Sequence, residues 1–149
     1  MHVSARSDYA IRAAIELAAA DGGPLTAETI ATAQHIPQKF LTAILLDLKR
    51  ARLVGSQRGA DGGYFLAKPA REITIADVMR AVEGQIVQVR GIRPEELDYE
   101  GHATALQRVW VAGRASLRAV LEHVTVADVA RDALPAKVAK LAENPEAWH

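Results

Sequence analysis

Apolar residues recur along this chain at helical spacing in most windows and at strand-like spacing in one. From about Ser7 to Ala20, Ala10, Ala13, Ala14 and Leu17, flanked by Ile11 and Ile15, form one apolar face, and Arg6, Asp8, Arg12 and Glu16 fall on the other. The run Asp21-Gly22-Gly23-Pro24 then supplies the glycine and proline that end a helix. Thr26 offers a hydroxyl to cap a short second helix ending near Gln34. Pro37 is placed as the first residue of a third helix, where its missing amide proton costs nothing. In that helix Leu41, Ile44, Leu45 and Leu48 make a buried stripe and leave Gln38, Lys39, Thr42, Ala43 and Lys49 outside. Two helices joined by His35-Ile36-Pro37 predict a helix-turn-helix. The turn position usually favours glycine because it needs positive φ, and histidine is among the few side chains that adopt it.

Two apolar runs, Leu53-Val54 and Tyr64 to Ala67, flank the tip Gly59-Ala60-Asp61-Gly62-Gly63 and predict a β-hairpin. A hairpin directly after a helix-turn-helix is a wing. The same glycines are no phosphate loop, because the Lys-Ser/Thr ending and the following helix are missing. Thr74 caps a helix from Ile75 to Glu83 that Gly84 stops. Residues 85–101 have no clear period and read as a linker or effector loop. Between Gly101 and His123, Ala103, Leu106, Trp110, Gly113, Leu117, Val120 and Val124 follow at alternating intervals of three and four, the seam of a paired helix roughly 33 Å long. Leu106, Trp110, Gly113, Leu117 and Val120 are the expected dimer interface. Thr125 caps a further short helix, and a last helical segment begins at Pro135, with fraying expected after Pro145 and Trp148 either docked or exposed.

The fold class expected is therefore mainly α with a small β-hairpin wing. Its expected parts are a winged helix-turn-helix domain at 1–84, the loop at 85–101, a dimerisation helix with a short helix at 102–133, and a tail at 134–149.

Composition sharpens this picture in two places. The eighteen basic and eighteen acidic residues cancel over the whole chain, yet from Gln38 to Arg71 seven basic residues face only two acidic ones. Nearly a quarter of the chain is thus a basic patch, the distribution a polyanion partner reads. The chain also contains no cysteine, which excludes disulfides, thiol nucleophiles and thiolate-ligated metal centres. No nucleophile elbow, paired carboxylates or metal motif points to an enzyme. His102 and the acids Glu95, Glu96, Asp98 and Glu100 are close in sequence but lack a ligand spacing, so they read as polar surface, with neither metal nor cofactor expected. The N-terminus carries no basic stretch followed by an apolar run, and no membrane span is expected, which predicts a cytoplasmic protein.

Taken in order, Ser7-Asp8-Tyr9-Ala10-Ile11-Arg12-Ala13, Ile36-Pro37 with Leu41, Ile44, Leu45 and Leu48, Arg58-Gly59 with Gly62-Gly63-Tyr64, Ile73-Thr74-Ile75 with Asp77-Val78, Glu83-Gly84, and Val124-Thr125-Val126-Ala127-Asp128-Val129 resemble the Rrf-two family of bacterial regulators, the IscR, NsrR and CymR group. The resemblance covers nearly the whole chain. It implies a homodimer that binds double-stranded operator DNA, with a winged helix-turn-helix at each end of long crossed helices. Many members ligate an iron-sulfur cluster through three cysteines that Glu83 to Trp110 lacks here, so the chain resembles a cluster-free branch. In some relatives a carboxylate at the Asp8 position completes the cluster. Without thiolates Asp8 has nothing to complete, and an ion pair or cap is expected instead.

On this reading the Pro37 helix enters the major groove of a pseudo-palindromic site. Gln38 and Lys39 lead to the base edges, and Thr42 meets a phosphate or a thymine methyl. Arg58, carried on a wing whose Gly59, Gly62 and Gly63 allow close approach, suits a narrow minor groove, and Lys49 and Arg50 add phosphate contacts. The expected function is a transcriptional regulator, a repressor by preference. The alternative is a winged-helix module that docks a protein partner. The signal is left open among a small molecule, a protein effector and no effector at all.

Overall fold

The computed structural model describes residues 1–149. In chain order its elements are α1 (Ala5–Ala19), α2 (Ala27–Gln34), α3 (Gln38–Arg50), the strands β1 (Val54–Gln57) and β2 (Gly63–Leu66), α4 (Ile75–Glu83), α5 (Leu106–Leu121), α6 (Val126–Ala130) and α7 (Ala136–Glu143). This is a mainly helical winged helix-turn-helix with one antiparallel hairpin. Helix α1 begins at Ala5 because the Ser4 hydroxyl accepts from the Ser7 amide at 3.0 Å, two residues before the apolar period starts. Its buried face is Ser7, Ala10, Ala13, Ala14 and Leu17. Four of these side chains are small, so α3, α4 and α6 all pack closely against α1.

Helix α2 starts on the Thr26 cap and ends at His35, which is left-handed at φ 53°. The turn is held from outside as well. Arg12 donates to the Gln34 carbonyl at 2.6 Å, and the Gln34 side chain donates to Glu16 at 2.6 Å, so α1 fixes the direction in which α3 leaves. Arg12 also pairs with Asp8 at 2.9 Å, the ion pair expected for that carboxylate. Pro37 is the N-cap residue of α3, one position earlier than the first helical residue, and its carbonyl accepts from Leu41. Leu41, Ile44, Leu45 and Leu48 are buried on α3 as the period predicts, each contributing about 1.5 to 3 kcal/mol of transfer free energy.

The hairpin pairs Val54 with Leu66 through Gln57 with Gly63. Leu25 adds a one-residue third strand: it exchanges both backbone bonds with Tyr64, at 2.9 and 2.7 Å. This anchors the wing to the segment before α2.

The winged unit does not close at Gly84 as its predicted boundary has it. Thr74 and Thr125 bridge antiparallel, with Ile75 donating to Val124 and Val126 donating to Ile73. Each threonine then opens a helix with a reciprocal capping box, to Asp77 in α4 and to Asp128 in α6. The matching strings Ile73-Thr74-Ile75-Ala76-Asp77-Val78 and Val124-Thr125-Val126-Ala127-Asp128-Val129 are thus two copies of one device, laid side by side. Val124 and Val126 belong to the same hydrophobic core as α1, α3 and α4, so a segment beyond α5 completes the winged unit.

The long helix is shorter than its predicted span. Gly101 to Ala103 form a separate 3-10 turn with Gly101 at φ 60°, and α5 proper has 16 residues, about 24 Å. Val124 keeps the three-four rhythm in sequence but falls past the helix end, inside the core. Within α5 nothing is buried: Leu106, Leu117 and Val120 are half-covered, Trp110 is 37% exposed, and nothing lies within 4 Å of a Cβ built on Gly113. The loop before it is better ordered by contacts than its composition implied, with Pro94 and Leu97 buried. Trp148 is exposed, and its indole N–H donates to the Ala142 carbonyl.

Candidate nucleic-acid interface

Gln38 and Lys39 occupy the first turn of α3 and are exposed, as are Thr42, Lys49 and Arg50 further along. The buried stripe turns the opposite face of the helix outward, so these positions follow from the same period that builds the core. Thr42 donates its hydroxyl to the Gln38 carbonyl at 3.2 Å, which leaves its methyl and an acceptor lone pair available. Lys49 donates to the Ser56 hydroxyl at 2.7 Å and ties the end of α3 to β1.

A cleft of about 390 Å³ separates α3 from the hairpin, and Lys39, Thr42, Lys49, Ser56 and Tyr64 line it. Three predicted contacts therefore converge on one groove. Its two ammonium groups are of the kind that contact phosphate oxygens. Arg50 is exposed but lies outside this groove.

Arg58 and Gly59 form the exposed start of the wing tip, and the Gly62 amide closes that turn on the Gly59 carbonyl at 3.1 Å. Gly62 and Gly63 are also required by the hairpin itself. A Cβ on Gly62 would stand 2.4 Å from the Gln57 carbonyl oxygen, and one on Gly63 would stand 2.5 Å from that of Leu25. Gly63 also has φ 148°. These two residues let the hairpin close and dock, and they shape the wing from inside.

Three residues of this face escaped the sequence reading. Ser56 and Tyr64 reach the cleft from opposite strands, a pairing that the register Ser56 with Tyr64 makes explicit. Phe40 is 50% exposed at the start of α3, its ring 6.5 Å from that of Tyr9 and 5.0 Å from the Lys39 ammonium. A large aromatic at an outward helical position was the available signal.

A basic recognition helix beside an anchored wing defines a winged helix-turn-helix DNA-binding protein. The family described as Rrf2, iron-dependent transcriptional regulator, matches residues 3–132, and the chain belongs to it. It is a transcriptional regulator and not an enzyme. The helix-turn-helix-type regulator Rv1287 of Mycobacterium tuberculosis is 50% identical over 97% of this chain and 90% of its own length. Among solved structures, CymR of B. subtilis, titled a global cysteine regulator, is similar at 30% identity and a TM-score of 0.75 over 88% of this chain and 97% of that one. IscR of T. potens is similar at 31% identity and a TM-score of 0.73, over 89% and 88%.

The residues here do not fit the iron-sulfur centre that this family's iron dependence brings to mind. The chain has no thiolate to offer, and nowhere do three histidine or carboxylate side chains gather as a ligand set. His102 is exposed on the 3-10 turn, and Glu95 is already engaged by Arg114.

Proposed function

We propose that the protein is a cytoplasmic, homodimeric repressor that grips a pseudo-palindromic operator with two copies of the α3-wing face and works without an iron-sulfur cluster. The single observation that carries this is the groove between α3 and the hairpin, with Lys39, Thr42 and Lys49 on its walls and Arg58 at the tip beyond it. In this proposal Gln38 reads base edges, Lys39 and Lys49 bind the backbone strand in the groove, Arg50 adds a flanking phosphate contact, and Arg58 with Gly59 enters the minor groove. Gly62 and Gly63 hold the wing in place.

Dimerisation is assigned to α5, whose Leu106, Trp110, Gly113, Leu117 and Val120 form a face that the chain itself covers only in part, with Val109 57% exposed next to it. Open space at Gly113 lets a second helix backbone approach closely. That contact offsets the roughly 1 kcal/mol a helical glycine costs.

Fluorescence anisotropy with operator and scrambled duplexes tests the DNA assignment. Arg58→Ala is expected to weaken operator binding and Gln38→Ala to relax base preference, each by about 1 to 3 kcal/mol. Unchanged curves for both variants refute it. Sedimentation tests the dimer: Leu117→Asp is expected to give monomers, and a dimer that persists moves the interface elsewhere.

A further inference from the structure

A second concave site lies away from the α3-wing groove, where the end of α4, the segment after it and one face of α5 meet. It encloses about 460 Å³ and is walled by Arg80, Arg93, Arg114 and Arg118 together with only Glu95 and Glu122. Both carboxylates are ion-paired, each through one oxygen. Glu122 accepts from Arg80 and, at 3.0 Å, from Arg118, while Glu95 accepts from Arg114. Arg93 forms no ion pair, although its charge also helps hold the Glu95 carboxyl low. With the Gln85 amide turned so that its oxygen rather than its nitrogen faces Arg93, the Arg93 Nε donates to it at 2.6 Å.

The lining therefore carries two positive charges more than it neutralises. Asp77, 3.8 Å from Arg80 at the rim, offsets one of them in part, though its other oxygen accepts from the Thr74 amide. The Glu95 carboxyl is held below its ordinary value by its own backbone amide and by Arg114, and Glu122 by Arg118 and Arg80, so both stay ionised at neutral pH and the excess is a fixed property of the site. In the adjoining segment the backbone amides of Ile86 and Val87 donate to no acceptor within the chain. No aromatic side chain lines the pocket, which leaves nothing on which a nucleobase would stack.

Guanidinium forks match planar and tetrahedral oxyanions, and four of them around a small volume with surplus positive charge specify the ligand's charge as well as its size. We infer that this pocket is an effector site for a small oxyanion bearing two negative charges, of the dicarboxylate or phosphate-monoester type. Its ligand joins Arg80 on α4 and Arg93 on the intervening loop to Arg114 and Arg118 on α5. Because α4 is part of the DNA-binding core, the ligand thereby sets the angle between that core and α5. In the proposed dimer the same angle determines the spacing of the two recognition helices, so the regulatory step rests on the reading above and the binding step does not.

Isothermal titration of the full chain without DNA, using inorganic phosphate in one arm and succinate in the other at matched ionic strength, tests the site. Saturable binding in at least one arm is expected, and the tighter arm tells the two ligand types apart. Succinamide, uncharged and of similar size, is expected not to bind. Arg93→Gln removes the one arginine outside the ion pairs, so the fold is retained, and about a tenfold loss of affinity is expected. Arg118→Gln serves as the second variant should the first unfold. No saturable binding of either anion, or equal binding by the wild type and both folded variants, overturns the proposal. Operator anisotropy with and without the better anion separates the two readings: normal operator binding with no anion binding removes the effector site alone, and anion binding with no operator recognition removes the DNA assignment alone.

Discussion

Replacing Gly63 by alanine tests whether the wing is placed by its docking onto Leu25. The new methyl would meet the Leu25 carbonyl oxygen at 2.5 Å and its carbon at 2.7 Å, and both are backbone atoms with no rotamer to yield. Relief requires opening the Leu25-Tyr64 pair, whose two bonds measure 2.9 and 2.7 Å. Two net backbone bonds are worth about 2 kcal/mol. The backbone at φ 148° costs an L-residue about 1 to 3 kcal/mol more, for a total of about 3 to 5 kcal/mol. Gly59→Ala is the control, since φ there is 107° but nothing lies within 4 Å of its Cβ, so it carries the conformational cost without the clash. Urea unfolding measures both, and an unchanged slope confirms that stability alone has moved. Gly63→Ala is expected to be the more damaging by about 2 kcal/mol, and operator affinity is expected to fall with it because the Arg58 tip loses its anchor. Equal costs for the two substitutions would show that the Leu25 bridge does not position the wing.

Two further outcomes follow from the packing and the charges. Val126→Ala, at a fully buried position beyond α5, is expected to destabilise the whole cooperative transition by about 1 to 3 kcal/mol in thermal or urea unfolding, and a fragment ending at Gly84 is expected not to fold; a stable, cooperative fragment would refute the shared core. The lowered pKa of Glu95, set first by its backbone amide and then by Arg114, means that its carboxylate contributes stability above the ordinary value of 4.5 and loses it as pH falls through the lower folded value. The unfolding midpoint of the wild type is thus expected to fall more steeply below pH 4.5 than that of Glu95→Gln, by a small amount because the carboxylate is exposed, and parallel pH profiles would contradict the assignment.

The outward face of α3 was legible because it is the complement of a local pattern. Once Leu41, Ile44, Leu45 and Leu48 go inward, Gln38, Lys39, Thr42 and Lys49 have only the outside left, and the caps at Thr26 and Thr74 mark their helices with no help from the rest of the chain. What stayed illegible involves partners far apart in sequence. The cleft needs Ser56 and Tyr64 brought across a hairpin to α3, and Gly62 and Gly63 look like any flexible tip until Gln57 and Leu25 are placed against them.

Composition and spacing within a few turns are enough to specify the helix-turn-helix, the wing, the basic outward face of α3 and the absence of thiolate ligands. The folded chain is needed to see that Val124 and Val126 complete the core, that α5 stops at Leu121, and that arginines from α4, the loop and α5 share one pocket. Periodicity says which face of an element avoids water but not what covers it. Val124 satisfies a helical rhythm and a bridged strand equally well, and the Thr74-Thr125 backbone pairing selects the second.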